Sequence, residues 1–151
     1  MATEIERKFL VDKDMFFKAH PQRQSIPMEQ GYLSVDPAVR VRSSGGQARL
    51  TIKGPGLVER AEYEYAIPML DFVGLFKLCK YQIRKIRHMV TVGEDQWEVD
   101  EFSGSLHGLM IAEIELKHVT QRFDYPTWLR DEVTEDPRYQ NSRLAVDGVP
   151  V

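Results

Sequence analysis

Acidic and basic side chains recur two residues apart along this sequence, and in an extended chain that spacing puts them on one face. Near the N-terminus Glu4, Glu6 and Lys8 share a face, with Ile5 and Phe9 opposite. Arg40 and Arg42 stand against Val39 and Val41, and Arg49, Thr51 and Lys53 against Leu50 and Ile52. Glu62 and Glu64 oppose Tyr63, Tyr65 and Ile67, while Lys85 and Arg87 oppose Ile86, Val90 and Val92. Glu98 and Asp100 face away from Trp97 and Val99, and Glu113, Glu115 and Lys117 away from Ala112, Ile114 and Leu116.

Alternation of this kind ordinarily marks a sheet with one wet face. A merely solvated face, however, mixes Ser, Thr, Gln and Asn among its charges. Here the positions are almost all full charges, often of the same sign two residues apart, and such neighbours repel. A ligand and metal ions would favour the arrangement. Guanidinium and ammonium groups suit phosphate oxygens, and paired carboxylates suit a hard divalent cation, Mg²⁺ or Mn²⁺. A polyphosphate bridged by metal satisfies both sets. If the charged faces turn inward, the space they enclose must stay wet, because burying an unpaired ion in a dry interior costs several kcal/mol, as an order of magnitude.

The elements that must position these groups are mostly strands, expected at 3–11, 28–36, 38–44, 47–54, 59–67, 82–93, 95–102 and 110–118. Gly45-Gly46, Gly54-Pro55-Gly56 and Gly93-Glu94-Asp95 punctuate them. About eight strands suffice to close a barrel. Helices are expected at 13–18, 69–79 and 137–146, with Pro137 in the first turn of the last, and Gln121 to Pro137 reads as a long loop. The 151 residues form one domain, 1–151. The fold class is mainly β (α+β): an eight-stranded antiparallel closed barrel with a few peripheral helices.

The ordered set of motifs resembles the CYTH domain, or triphosphate tunnel metalloenzyme, family. Glu4-Ile5-Glu6-Arg7-Lys8 matches its ExExK signature, and QGYLS at 30–34, VRVR at 39–42, LTIKG at 50–54, EYEYAIP at 62–68, RKIRH at 84–88, WEVDEF at 97–102, IAEIEL at 111–116 and EVTEDPRYQN at 132–141 follow in order. The resemblance implies a tunnel that binds a triphosphate and hydrolyses it with Mg²⁺ or Mn²⁺. By position, Lys8, Arg40, Arg42, Lys53, Lys85 and Arg87 would grip the triphosphate, and Glu4, Glu6, Asp100, Glu113 and Glu115 would hold metal. Lys8, Tyr32, Glu4 and Glu6 are the implied catalytic set, with Tyr32 orienting Lys8 or the attacking water. Glu62, Glu64 and Glu98 are acidic tunnel residues without an assigned role. The C-terminal segment matches a helix that closes one tunnel end, where Arg138 is expected to reach the ligand and Arg143 is the alternative.

The favoured substrate is inorganic tripolyphosphate, since a short chain leaves little room to recognise an organic group. A class IV-type adenylate cyclase, a thiamine triphosphatase and a non-catalytic polyphosphate-binding module are the competing readings. A net charge of -3 argues against general binding to nucleic acid or an acidic membrane. The single Cys79 excludes an internal disulfide and reads as a buried apolar residue, and His20, His88, His107 and His118 lack metal-ligand spacing. No GxxxxGK loop is present. Trp97, Tyr63 and Tyr65 are expected to build an outer apolar shell with the helix at 69–79. The chain is expected to be cytoplasmic, a monomer or homodimer, with a small-molecule triphosphate as its partner.

Overall fold

The computed structural model describes residues 2–151. Its strands are β1 (Ala2–Val11), β2 (Gln24–Val35), β3 (Ala38–Ser44), β4 (Gln47–Lys53), β5 (Glu59–Ile67), β6 (Tyr81–Val92), β7 (Asp95–Phe102), β8 (Met110–Glu115) and β9 (Leu129–Glu132). Helix α1 (Lys13–Ala19) follows β1, α2 (Met69–Leu78) follows β5, and α3 (Asn141–Asp147) ends the fold. Eight strands pair antiparallel in the ring β1-β5-β4-β3-β2-β6-β7-β8, which closes back on β1. One edge of β1 is shared: Ala2 to Ile5 pair with β5, whereas Phe9 and Val11 pair with β9. Gly45 and Gly46, at φ 56° and 80°, make the two-residue connection between β3 and β4. Both positions require positive φ for a hairpin turn that matches the strand twist.

Most of the hydrophobic core lies outside the ring, and one cluster fills an end of its interior. Phe9, Trp97, Val99, Ala112 and Ile114 project outward beneath α1 and the segment before β9, where Phe16 and Trp128 complete the layer. A second cluster caps one end of the barrel, with Leu144 of α3 against Tyr32, Ile83, Phe102 and Ile111. A third joins Val41 and Ala48 to Phe72 and Cys79 under α2. Here Gly31 permits a close approach, because a Cβ at that position would sit 2.8 Å from both Cβ and Sγ of Cys79. The outer shell therefore takes the alternate apolar residues, which frees the inner face for charge.

Several boundaries differ from the sequence expectation. Strand β2 begins at Gln24, and β8 stops at Glu115, so Lys117 lies beyond its end and is exposed. The expected loop from Gln121 to Pro137 contains β9, which is only four residues long and carries one buried apolar side chain, Leu129, too short a pattern to signal a strand. The expected helix at 137–146 divides into a 3-10 turn (Pro137–Tyr139) and α3. Trp97 is fully buried in the shell, but Tyr65 is 55% exposed, because α2 packs on β2, β3 and β4 and leaves the outer face of β5 uncovered.

Candidate active site

Inside the ring is a cavity of about 220 Å³ lined by seven basic and seven acidic side chains. The basic ones are Lys8, Arg40, Arg42, Lys53, Arg60, Lys85 and Arg87; the acidic ones are Glu4, Glu6, Glu62, Glu64, Glu98, Glu113 and Glu115. Strand pleat explains the convergence, since every one of these positions has the parity that faces away from the shell.

The cations concentrate on β3, β4 and β6. Arg40 Nη2 donates to Thr51 Oγ1 at 3.2 Å, while its Nε is buried with no partner among the described residues. Arg42 Nε donates to Gln30 Oε1 at 3.2 Å. Burial, then the charges of Arg40 and Arg87, push Arg42 below the usual guanidinium range. Arginine does not give up its proton in proteins, so this downward push expresses a cost of burying the charge, with a smaller repulsion from Arg40 and Arg87, that an anion would offset. Lys53 lies 2.9 Å from Glu4 and 3.6 Å from Glu62, yet burial and Arg40 depress it as well. Buried cations that repel one another, Arg42 with Arg40 and Arg87, and Lys53 with Arg40, are features a polyanion fits.

The carboxylates gather on β7, β8 and β1, directly opposite one another. Glu6 is the register partner of Glu115, and Glu98 of Glu113. Like charges in those cross-strand positions destabilise a sheet unless a cation lies between them. Burial raises the Glu115 carboxyl above its ordinary range, and Glu4, Glu98 and Glu6 raise it further. Oxygen-only donors of this kind fit Mg²⁺ or Mn²⁺. Among the described residues no three Asp, Glu, His or Cys side chains form a ready cage for an ion.

Asp100 departs from its expected place with the metal carboxylates. It is 1% exposed and is absent from the cavity lining. Its Oδ1 accepts from Arg87 Nε at 2.8 Å, and its Oδ2 accepts from Arg87 Nη2 at 3.0 Å and faces Lys85 Nζ at 2.8 Å. Although burial opposes ionisation, Arg87 and Lys85 hold Asp100 well below the usual carboxylate range. Lys85 gains less from the same contact: burial outweighs the Asp100 attraction, Arg87 and Arg42 repel it, and its ammonium is pushed down to about 7. Both values fall, yet the charge is favoured at Asp100 and disfavoured at Lys85, because two cations face the carboxylate whereas burial outweighs one carboxylate at the ammonium.

Other expectations shift too. Arg138 points away from the cavity, 59% exposed and 2.7 Å from Asp136, because the 3-10 turn directs it outward. Arg143 likewise pairs with Asp147 on the surface at 2.6 Å. Lys117 is outside the tunnel, and Arg49 stands half-exposed beside Glu64 at 3.6 Å. The Tyr32 hydroxyl lines the cavity and accepts from Gln30 Nε2 at 3.1 Å, while Lys8 lies nearest to Glu6 and Glu113, at 3.6 and 3.9 Å. Sequence reasoning missed Arg60, whose parity with Glu62 and Glu64 was the available signal; it approaches Glu4 and Glu6 at 3.9 and 3.8 Å. It also missed Gln30 and Asn141, two uncharged residues that bear on the cations. His20 accepts from Trp128 Nε1 at 3.0 Å and His88 is held near Ser25 and Glu101, both outside the tunnel.

The CYTH domain family model matches residues 2–145. An inorganic triphosphatase of Acetivibrio thermocellus is 41% identical over 149 residues, covering 95% of this chain and 94% of that protein. An inorganic triphosphatase of Nitrosomonas europaea is 36% identical over 151 residues, covering 95% and 97%. The crystal structure of the inorganic triphosphatase NE1496 superimposes with a TM-score of 0.69 at 33% identity, over 100% of this chain and 99% of that one. A putative adenylyl cyclase, HpAC1 from Hippeastrum, has a TM-score of 0.56 at 14% identity, over 78% of this chain and 80% of that one, a likeness of fold alone. By the family match across nearly its whole length, and by the charged tunnel its strands enclose, this chain belongs to the CYTH domain family.

Proposed function

We propose that this protein hydrolyses inorganic tripolyphosphate to pyrophosphate and phosphate, using Mg²⁺ or Mn²⁺. The observation that carries the reading is the division of the tunnel into a repelling basic wall and a register-opposed acidic wall. A polyanion answers the first and a divalent cation the second. The names borne by the relatives from Acetivibrio and Nitrosomonas support the same substrate.

In this reading Arg40, Arg42, Arg87 and Lys53 bind phosphate oxygens. Fixed cations aimed at the equatorial and leaving oxygens supply most of the catalysis of phosphoryl transfer. Glu4, Glu6, Glu98, Glu113 and Glu115 are the residues that would hold metal, which when bound would neutralise phosphate charge and lower the pKa of a water. Lys8 lies between Glu6 and Glu113 of the acidic wall and offsets part of their repulsion. Tyr32 directs its hydroxyl proton away from Gln30, whose amide donates to it.

The test is turnover of tripolyphosphate, ATP and thiamine triphosphate by the purified protein, each with Mg²⁺, Mn²⁺ or EDTA, with the products identified. Orthophosphate and pyrophosphate from tripolyphosphate, abolished by EDTA, are expected. Cyclic AMP from ATP as the main product, or binding of tripolyphosphate without turnover under every condition, would refute the reading.

A further inference from the structure

The C-terminal segment reaches into the tunnel with an amide instead of the expected basic side chain. Asn141, the first residue of α3, lines the cavity. Its Oδ1 accepts from Lys85 Nζ at 2.9 Å and from Gln30 Nε2 at 3.1 Å. Gln30 is 0% exposed and does not line the cavity, and its Oε1 accepts from Arg42 Nε.

The orientation of both amides follows from these partners. Lysine and arginine side chains only donate hydrogen bonds. The atom of Asn141 that meets Lys85 must therefore be the oxygen, and the atom of Gln30 that meets Arg42 must also be the oxygen. Turning either amide over would set N–H against N–H. With Oδ1 fixed against Lys85 and Gln30, the Asn141 amide nitrogen is left with two hydrogens, which no protein acceptor takes among the described residues.

We propose that Asn141 is the contact by which α3 binds substrate, donating from Nδ2 to a phosphate oxygen, and that Gln30 is the buried positioning residue that aims it. This rests on tripolyphosphate as the ligand. The chain Arg42–Gln30–Asn141–Lys85 ties the closing helix to Arg42, which grips phosphate, and to Lys85 of the cavity lining. Docking of the helix and orientation of those cations are thereby one event. An uncharged donor at this end also holds a departing phosphate less tightly than a lysine or arginine would.

The experiment compares Asn141→Ala, Gln30→Met and the double variant with wild type. KM and kcat for tripolyphosphate are measured with Mg²⁺, calorimetric binding of tripolyphosphate in EDTA, and Tm without ligand. Asn141→Ala is expected to raise KM about 10-fold, the loss of one hydrogen bond to a charged group, with kcat much less affected. Gln30→Met is expected to raise KM although it removes no cavity-lining atom, and the double variant to cost clearly less than the product of the two factors. A lowered Tm with unchanged KM and affinity in Asn141→Ala would make the residue structural only and overturn the proposal. Fully multiplicative effects would overturn the role of Gln30. If wild type binds tripolyphosphate without turning it over, and Asn141→Ala weakens that binding, the hydrolase reading fails while the contact stands. If wild type does neither, both fall.

Discussion

Replacing Asp100 by asparagine separates a buried counter-ion from a metal ligand. The carboxylate faces Arg87 through two hydrogen bonds and Lys85 through a third contact, with 1% exposure. Asparagine keeps the shape but removes the charge and turns an NH₂ towards a cation. Breaking a buried ion pair from one side costs about 3–5 kcal/mol. The lower end applies here, because Arg87 retains Glu98 at 2.6 Å. For a chain of this size, about 3 kcal/mol corresponds to a fall in Tm of about 6–12 °C. The pH dependence carries a sign. Lys85 is pushed down to about 7 from an ordinary value of 10.5, so the cost of keeping it charged is full below pH 7 and fades as pH rises towards 10.5. Without Asp100 the folded-state value falls further, so the two proteins differ at Lys85 only below pH 7, where the wild-type lysine is still charged, and the Tm gap should narrow as pH rises towards 7 and then level off. Thermal unfolding by circular dichroism in EDTA, at several pH values, reads both effects. A Tm within about 2 °C of wild type, with Mg²⁺ dependence displaced to much higher concentration, would show that Asp100 serves a metal and refute the counter-ion argument.

Glu115→Gln should abolish most metal-dependent turnover while leaving the Tm of the ligand-free protein unchanged or higher. Its raised carboxyl pKa means that the penalty for ionisation is complete above the folded pKa and disappears as pH falls below the unfolded value, so the Tm values of the two proteins should converge under acid; a lower Tm for the variant at pH 7 would contradict this. Arg40→Met loses one bond to Thr51 but relieves Lys53 and Arg42, so apo stability should change little, whereas tripolyphosphate affinity measured by calorimetry should fall about 10- to 100-fold. Gly31→Ala drives a methyl group to 2.8 Å from Cys79 and should cost about 1–3 kcal/mol in urea unfolding, with α2 displaced and the tunnel chemistry retained.

The ring of eight strands was legible because the charged and apolar residues of β1, β3 to β5 and β7 alternate over most of their length, with exceptions such as Arg7, Leu10, Glu101 and Phe102, and parity is what the pleat converts into inside and outside. The inward direction of the charges was legible only in part. It rested on same-sign pairs such as Arg40 with Arg42 and Glu113 with Glu115, an arrangement a wet outer surface gives no reason to choose. Asp100 and Lys85 share the same parity as their neighbours, and alternation alone does not say how deep a side chain lies; the buried pairing with Arg87 depends on register between β6 and β7. Arg138 was misplaced because the sequence gives helical period without its phase, and the intervening 3-10 turn rotates that side chain outward. Gln30 and Asn141 carry no charge and sit 111 residues apart, so only the closed fold reveals that they meet.

Keeping the greasy layer outside the ring has a consequence for how such a molecule changes over generations. In most domains the residues that meet a ligand also share the work of holding the chain together, and altering one disturbs the other. Here Trp97, Trp128, Phe9 and Phe16 secure the scaffold from behind, on the far side of the strands from the open lumen. Side chains that line that lumen without a buried counter-ion or a place in the end cluster can be exchanged without emptying that packed layer. The same frame can thus be refitted for a different guest by a handful of substitutions, provided the buried pairing of Arg87 and Lys85 with Asp100 is kept.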